Sequence, residues 1–247
     1  MTARYSVAVT ELSASDPRFR DDRGDADPDV SAALAGYAAG TRTEHEALTA
    51  LAAARLLVPV VAVLTDPADR PAAEPGEKNS EMAMPSLVGA DGRRALPAFT
   101  SLAAMRRWRP AARPVPVAAA SVWQAAVQQG EAVIIDVGGP VPLAVEGARL
   151  NALAASEPVP ALHADPDVRA AVAEVASAQP PGVRIRLGPP PPDADLTIEL
   201  APADPAGEPV RASARDAIVA GVAARLGNRS RRGIAVVVHA PATGRAD

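Results

Sequence analysis

The sequence predicts an α/β protein of the α+β type, in which a mixed β-sheet packs with helices. Continuous apolar runs at residues 57–64 and 132–137 are typical of buried strands. Asp91 and Gly92 lie between two short apolar runs, an arrangement that indicates a β-hairpin. Elsewhere, apolar residues recur at helical spacing behind N-capping residues. Strands and helices that mix in this way are typical of a sheet covered by helices.

Three segments are predicted along the 247 residues. Residues 1–27 are predicted to be a mobile acidic tail, because they are rich in Asp and Arg and show no sustained apolar period. Residues 28–156 are predicted to form an N-terminal α/β domain that contains the mixed sheet. Residues 157–247 are predicted to form a smaller C-terminal α+β domain, in which a helix, two strands, a helix and a last strand follow one another as in a small sandwich.

Local signals place the individual elements. Residues 183–187 and 196–200 alternate between apolar and polar, so each is predicted to be a half-buried strand, and 234–238 is predicted to be the closing strand. The polar stretch 66–77 is predicted to be a loop. Five capping signals predict helix starts: Asp27 with Pro28, Thr43 with Glu46, Thr100 or Ser101, Asp165 with Pro166, and Ser213 with Asp216.

The composition excludes several classes of site. The chain has no cysteine, so disulfides, zinc–thiolate sites and thiol catalysis are excluded. Its formal net charge of -4 argues against a nucleic-acid partner. The start lacks the apolar region of a signal peptide, and no apolar run approaches the roughly 18–20 residues that span a bilayer. We therefore expect a cytoplasmic protein with no membrane partner.

Several short motifs resemble a known family. They are LLVPVV at 56–61, GEKNSEMAMP at 76–85, ALPAFTS at 95–101 and RPVPV at 113–117. Together they resemble the SseB family, named for enhanced serine sensitivity, over about residues 28–156. The segment 184–200 is similar to the C-terminal part of that family. The resemblance implies the fold, and it carries no catalytic residue, cofactor or ligand onto this chain.

No metal, nucleotide or nucleophile motif is found. His45, His163 and His239 are scattered without the spacing of a metal site, and we interpret them as surface or boundary residues. The sequence has no G-x-S-x-G elbow and no phosphate-binding glycine loop. Ser80 and Ser101 are therefore interpreted as turn or cap residues. We expect no cofactor, no metal and no catalytic residue of these types.

Carboxylates are the remaining candidates for acid–base chemistry. Asp136 ends an apolar strand, so burial could raise the pKa of its carboxyl group. It also precedes the glycines at 138 and 139, and we favour a role in capping that turn. Glu77, Lys78 and Glu81 form a charged cluster that we interpret as ion pairs on a solvated loop.

The most uneven feature of the charge distribution is an arginine-rich segment. Between Gly92 and Gly130 the chain has no acidic residue. We hypothesise that four arginines of this segment present a shared positive face to a partner or an anion: Arg93, Arg94, Arg106 and Arg107. The alternative is structural, since basic residues near a helix C-terminus interact favourably with the helix dipole.

The sequence does not determine a biochemical activity. The favoured interpretation is a non-enzymatic, cytoplasmic regulatory or adaptor protein that acts through a protein-interaction surface, with an acidic protein as the expected partner. One alternative is an enzyme with a carboxylate site near Asp136, and another is a weak anion or RNA binder that uses the arginine-rich segment. Convergent polar groups in a deep pocket would favour the enzyme, whereas arginines around an apolar patch would favour the adaptor. The oligomeric state is not determined.

Overall fold

The computed structural model describes residues 4–8, 17–63, 81–140, 142–179, 182–204 and 209–241. The strands found there are β1 (Arg4–Ala8), β2 (Arg55–Val63), β3 (Glu81–Val88), β4 (Arg94–Ala98), β5 (Arg113–Ala118), β6 (Ala132–Ile135), β7 (Leu143–Val145), β8 (Val183–Gly188), β9 (Leu196–Pro202) and β10 (Ile234–Val238). The helices are α1 (Pro28–Ala38), α2 (Glu44–Ala52), α3 (Leu102–Trp108), α4 (Ala119–Gln129), α5 (Gly147–Ala154), α6 (Pro166–Ser177) and α7 (Ala212–Leu226). The predicted loop at 66–77 lies outside the described residues.

The chain divides into two compact units. One is Met1–Ala32 with Ala50–Pro158, and the other is Ala33–Thr49 with Val159–Asp247. The helical segment 33–49 therefore groups with the second unit, although the sequence prediction places it in the N-terminal domain. Inside that unit the Tyr37 hydroxyl donates a hydrogen bond to the carbonyl of Asn228 at 2.6 Å. The domain bounds 28–156 and 157–247 stay a prediction about which parts fold as units.

The first unit contains a mixed sheet, which confirms the predicted α+β class. Its strand order is β5–β2–β3–β4–β6–β7, and β1 also pairs with β3. Strands β4 and β6 are parallel, from Ala95 opposite Ala132 to Ala98 opposite Ile135, and the other pairs of the sheet are antiparallel. Helices α4 and α5 pack on β6. The parallel pair brings the carboxyl ends of β4 and β6 to one edge of the sheet.

The predicted β-hairpin is confirmed between β3 and β4. Gly92 takes a φ of 81°, which is the left-handed conformation that glycine adopts at low cost. The Gly89 amide donates to the Arg93 carbonyl at 2.8 Å. The Asp91 carboxylate also accepts a hydrogen bond from the Arg93 amide at 3.1 Å. Local sequence chemistry therefore fixes this turn.

Four of the five predicted helix starts carry the expected side-chain caps. Asp27 accepts hydrogen bonds from the amides of the first turn of α1, and Thr43 exchanges hydrogen bonds with Glu46 at the start of α2. Ser101 caps α3, and Asp165 caps α6. The exception is α7, which is confirmed as a helix but begins at Ala212 after Arg211 and has no side-chain cap, so the predicted cap at Ser213 is wrong.

The sequence prediction misses three elements of the first unit, namely β1, β5 and α5. Strand β5 contains Pro114 and Pro116 and lies at the outer end of the strand order. Proline has no amide hydrogen, so it is tolerated on an edge strand but gives a weak strand signal. The end of the predicted tail is also anchored, because Asp22 forms a 2.7 Å ion pair with Arg55. This part of the predicted tail therefore contacts the first unit, and the mobility of residues 1–27 stays a prediction.

The second unit contains a three-stranded sheet in the order β10–β9–β8. Strands β10 and β9 are parallel, and β9 and β8 are antiparallel. Leu196, Ile198 and Leu200 on the central strand are fully buried in an apolar core that includes residues of α6 and α7. Strand β8 is half-buried, as the sequence predicts. Strand β9 is more fully buried than the sequence predicts, because it is the central strand and has a neighbouring strand on each side. None of the helices in the described ranges is long and apolar enough to cross a membrane.

Candidate functional site

Two arginines at the β3–β4 hairpin form ion pairs with carboxylates of the first unit. Arg93 forms exposed ion pairs with Asp91 at 2.6 Å and with Glu146 at 3.0 Å. Arg94 forms a 2.6 Å ion pair with Glu131, which is buried. The hydrogen bond from the Arg93 side chain is the main reason why the pKa of Asp91 is lowered. The positive charge of the hairpin is therefore partly balanced.

Asp91 and Glu131 lie directly outside the acid-free segment of the sequence, Glu146 lies further along the chain, and the sequence analysis missed all three as partners. In the parallel pair, Ala95 lies opposite Ala132, so Arg94 and Glu131 are the next residues along the same register. Glu131 also accepts a hydrogen bond from the Ser86 hydroxyl at 2.7 Å. Knowledge that β4 pairs with β6 would have been enough to predict the ion pair between Arg94 and Glu131. No local sequence pattern shows which strands pair in parallel.

Beside these arginines the sheet of the first unit has an apolar groove of about 740 Å³. Side chains alternate along β6, so that Val133 and Ile135 are buried while Ala132 and Ile134 remain half-buried. The residues that form the apolar floor of the groove include Leu87, Val88, Ala95, Ala132, Ile134, Val137 and Ala144. The charged residues at its rim are Asp91, Arg93, Arg94 and Glu146. The structure thus places arginines around an apolar patch.

The other two arginines of the hypothesised face lie on α3. Arg106 and Arg107 are exposed in the last turn of that helix, as the helix-dipole interpretation expects. Helix α3 follows the carboxyl end of β4, whereas Arg93 and Arg94 lie at the amino end of the strand. Among the described residues, the arginines that line the groove are Arg93 and Arg94. A shared face of all four arginines stays a prediction.

Asp136 occupies the turn that the sequence predicts after β6. Its φ is 50°, a left-handed conformation that Asp tolerates better than most residues. One carboxylate oxygen accepts a hydrogen bond from the Thr100 amide at 2.9 Å, and the other accepts one from the Thr100 hydroxyl at 2.7 Å. Burial raises the pKa of Asp136, although the Thr100 hydrogen bonds and the charge of Arg107 oppose the shift. The carboxylate therefore ties the ends of two parallel strands together.

The glycine pair after Asp136 allows close packing against α3. A Cβ atom on Gly138 would lie 2.8 Å from the Trp108 backbone nitrogen. The Gly139 amide donates to the Asp136 carbonyl at 2.7 Å, which closes the turn. Trp108 in turn packs on Phe99, with ring centroids 5.3 Å apart. The geometry fits the predicted turn, in which the Thr100 hydroxyl is the side-chain group that bonds the Asp136 carboxylate.

Two of the three histidines line one small pocket of the second unit, which the sequence analysis did not foresee. His45 and His163 both contribute to this cavity of about 200 Å³. The Nδ1 atom of each is buried without a hydrogen-bond partner among the described residues. Sequence separation hides this convergence, because no local pattern links α2 to the turn before α6. His239 instead lies 3.7 Å from the carboxylate of Glu199.

Glu44 and Arg229 line the same pocket and belong to a buried ion network. Arg229 donates to Glu44 at 2.9 Å and to Asp165 at 2.5 Å, and both carboxylates are buried. Burial alone would lower the pKa of Arg229, but the two carboxylates outweigh burial and raise it. These charges are already paired. Within the described ranges, no group of three or more His, Asp or Glu side chains has the arrangement of a metal site.

Of the remaining predicted residues, Glu81 and Ser101 lie in the described part of the chain. Glu77, Lys78 and Ser80 lie outside the described residues. Glu81 begins β3. Ser101 accepts a hydrogen bond from the Ala104 amide at 3.1 Å, so it is the helix cap that the sequence predicts.

Comparison with known proteins identifies the family from the first unit and part of the second. Residues 30–152 match the family model described as the SseB protein N-terminal domain. The chain belongs to the SseB family. The match ends before β8, so the similarity of 184–200 to the C-terminal part of SseB proteins stays a prediction. No curated protein and no solved structure matches the chain.

Proposed function

We propose that this SseB-family chain is a cytoplasmic regulatory or adaptor protein that binds a segment of a partner protein in the groove of its first unit. One observation carries the proposal, namely an apolar floor bordered by Arg93 and Arg94. Apolar patches with a polar rim are typical of protein-interaction sites. A catalytic site would instead bring polar groups together in the cavity, and Asp136, the favoured carboxylate, is occupied by Thr100.

The floor of the groove suits an extended segment with a few apolar side chains. Ala95, Ala132 and Ala144 are small, so a partner backbone can approach the sheet closely. Val88 and Ile134 are half-buried and supply apolar surface. Covering such surface contributes about 25 cal/mol per Å². Contact with this floor therefore provides the main favourable term for binding.

The rim favours acidic residues in the partner segment. The Arg93 side chain is 70% exposed, and its ion pairs with Asp91 and Glu146 are exposed too. Exposed ion pairs contribute little to stability because solvent screens them, so a partner carboxylate can replace one of them at little cost. We therefore expect the bound segment to carry Asp or Glu beside its apolar residues, which gives orientation and a faster encounter.

Selection from a random peptide library on the full chain tests this proposal. We expect selected peptides to combine apolar and acidic residues and to bind less tightly as salt rises. Ala144→Lys places a charge on an exposed position of the groove and should weaken binding by about tenfold or more. Arg93→Glu should weaken it through like-charge repulsion, with little change in stability.

Matched controls separate the groove from general charge effects. Ala170→Lys introduces the same change at an exposed position of α6, and Arg113→Glu reverses an exposed arginine on β5. Both variants should bind the selected peptides as the unmodified chain does. Equal loss of binding in the controls, or binding of oligoribonucleotides with no peptide selected, would contradict the proposal and favour the anion-binding alternative.

A further inference from the structure

We propose that the chain forms a weak homodimer in which β10 of one copy pairs antiparallel with β10 of a second copy. In the described part of the chain, β10 is an outer strand and pairs with β9 only. Val237 and Val238 on this strand are 43% and 45% exposed. An apolar outer strand without proline or charge is a template for a further strand. The proposal is independent of the groove, because β10 belongs to the second unit.

The free edge of β10 presents the backbone groups of alternate residues. The His239 amide donates to the Leu200 carbonyl at 2.8 Å, and the Gly233 carbonyl accepts from the Asp195 amide at 2.9 Å. Odd-numbered residues of the strand therefore direct their amides and carbonyls toward β9. Because this direction alternates along a strand, Ile234, Val236 and Val238 direct theirs toward the free edge.

A second copy of β10 satisfies all of these groups when the twofold axis passes through Val236. In this register Val236 lies opposite Val236 of the second copy, and Ile234 lies opposite Val238. Each such pair exchanges two backbone hydrogen bonds. Ala235 lies opposite Val237 in the intervening pairs, which have no hydrogen bonds. All five residues of the strand are paired, so the edge is complementary to itself.

The same register covers apolar side chains that one copy leaves exposed. Val238 lies opposite Leu200, which is fully buried, yet Val238 itself is 45% exposed. The Val238 side chain therefore lies on the same face of the sheet as the apolar core, but the core of its own copy does not cover it. Ile234 of the second copy would lie directly beside it. On the other face, Val237 of each copy would lie beside Ala235 of the other. Apolar cross-strand pairs of this kind stabilise a sheet.

Charge distinguishes this edge from the opposite one. Strand β8 forms the other outer strand and carries Arg184 and Arg186, both exposed. Antiparallel pairing of β8 with itself would place these guanidinium groups opposite each other, which is unfavourable. Strand β10 has no charged residue, so self-pairing brings no like charges together. A strand of five residues spans only about 17 Å, so the interface is small and the dimer should dissociate on dilution.

Sedimentation equilibrium of the full chain over a range of concentrations provides the first test. We expect the weight-average mass to rise from 25.1 kDa toward twice that value as concentration increases. The double variant Val237→Lys with Val238→Lys should weaken the dimer by about tenfold or more, because it changes cross-strand pairs on both faces. Val127→Lys changes a valine on α4 of similar exposure, 41%, and should leave the equilibrium unchanged.

Single cysteines test the register directly, because the natural chain has no cysteine. Residues 235 and 237 of opposite copies would form a pair with Cα atoms about 4.5 Å apart, within the range of a disulfide. A mixture of Ala235→Cys and Val237→Cys chains should form cross-linked dimers on mild oxidation, and each variant alone should form far fewer. Equal cross-linking of the separate variants, a monomer at all concentrations, or a dimer sensitive only to Val127→Lys would overturn the proposal.

Discussion

At the scale of single residues, Asp136 combines a left-handed backbone with a carboxylate that joins two strand ends. Its φ of 50° disfavours most side chains, but Asp and Asn are tolerated there. Its two oxygens satisfy the amide and the hydroxyl of Thr100. Burial raises the pKa of Asp136, so the neutral carboxyl group is favoured in the folded state. The same hydrogen bonds favour the charged form and limit the shift.

Replacement of Asp136 separates its charge from its hydrogen bonds. Because the pKa of Asp136 is higher in the folded chain than in the unfolded chain, its contribution to the free energy of unfolding is most favourable at a pH below the unfolded pKa. Its contribution to stability then falls as pH rises through the folded pKa. Asp136→Asn should remove this part of the pH dependence in urea denaturation measured from acid to neutral pH. It should keep the fold, since Asn also tolerates this backbone conformation.

Asp136→Ala provides the contrast in the same measurement. It leaves the Thr100 amide without its acceptor and places Ala in a left-handed conformation, so we expect a loss of about 1–3 kcal/mol at all pH values. Equal stability of the Asn and Ala variants would show that the Thr100 hydrogen bonds do not support the turn. If the chain has a catalytic activity and Asp136→Asn abolishes it while the fold is kept, the result would favour the enzyme alternative.

At the scale of elements, the start of α2 shows how one helix is fixed by its own sequence. The Thr43 amide donates to the Glu46 carboxylate at 2.7 Å, and the Glu46 amide donates to the Thr43 hydroxyl at 3.2 Å. The hydrogen bond from the Thr43 amide is the main reason why the pKa of Glu46 is lowered. Two amides that a helix start would leave unsatisfied are therefore bonded.

Loss of this cap should have a measurable cost. Thr43→Ala should lower the free energy of unfolding by about 1 kcal/mol, since it removes the side-chain acceptor of the Glu46 amide. Thr49→Ala is the matched control, because Thr49 lies in the same helix and its hydroxyl donates to the His45 carbonyl. We expect that control to be neutral or slightly stabilising, given the higher helix propensity of Ala. Equal effects of the two variants in urea denaturation would rule out the cap as a source of stability.

At the scale of the whole molecule, the division into units does not follow the order of the chain. Segment 33–49 groups with residues 159–247. Tyr37 is 3% exposed and bonds the Asn228 carbonyl, and Glu44 forms the buried ion pair with Arg229. A long-range polar network of this kind is costly to leave half-formed. Segment 33–49 should therefore unfold together with the second unit.

Native-state hydrogen exchange can follow this cooperative unit. Ile198→Val removes one buried methylene group from β9 and should cost about 0.5–1.5 kcal/mol. We expect the amides of 33–49 to lose protection together with those of α6 and α7, while β6 keeps its protection. Val133→Ala in the core of the first unit should give the reverse pattern. If 33–49 follows β6 instead, the segment belongs energetically to the first unit.

Much of the secondary structure follows from local chemistry that the sequence displays. Asp27, Thr43, Ser101 and Asp165 cap helices because a side-chain oxygen needs only the next few amides of its own chain. Gly92 and Gly130 mark a turn and a helix end because each takes a positive φ. Short contacts of this type do not depend on the rest of the fold. The short motifs that resemble the SseB family, such as the one at 95–101, are likewise visible in the sequence without the fold.

The candidate sites depend on contacts between distant residues, and only the tertiary structure decides these. The acid-free segment suggested a positive face, yet strand pairing brings Glu131 to Arg94 and Glu146 to Arg93. The same pairing leaves the apolar groove beside them. His45 and His163 share a pocket because α2 groups with the second unit. Which strand lies at an edge, as β5 and β10 do, is likewise set by its neighbours and not by its own residues, because pairing is a property of two strands.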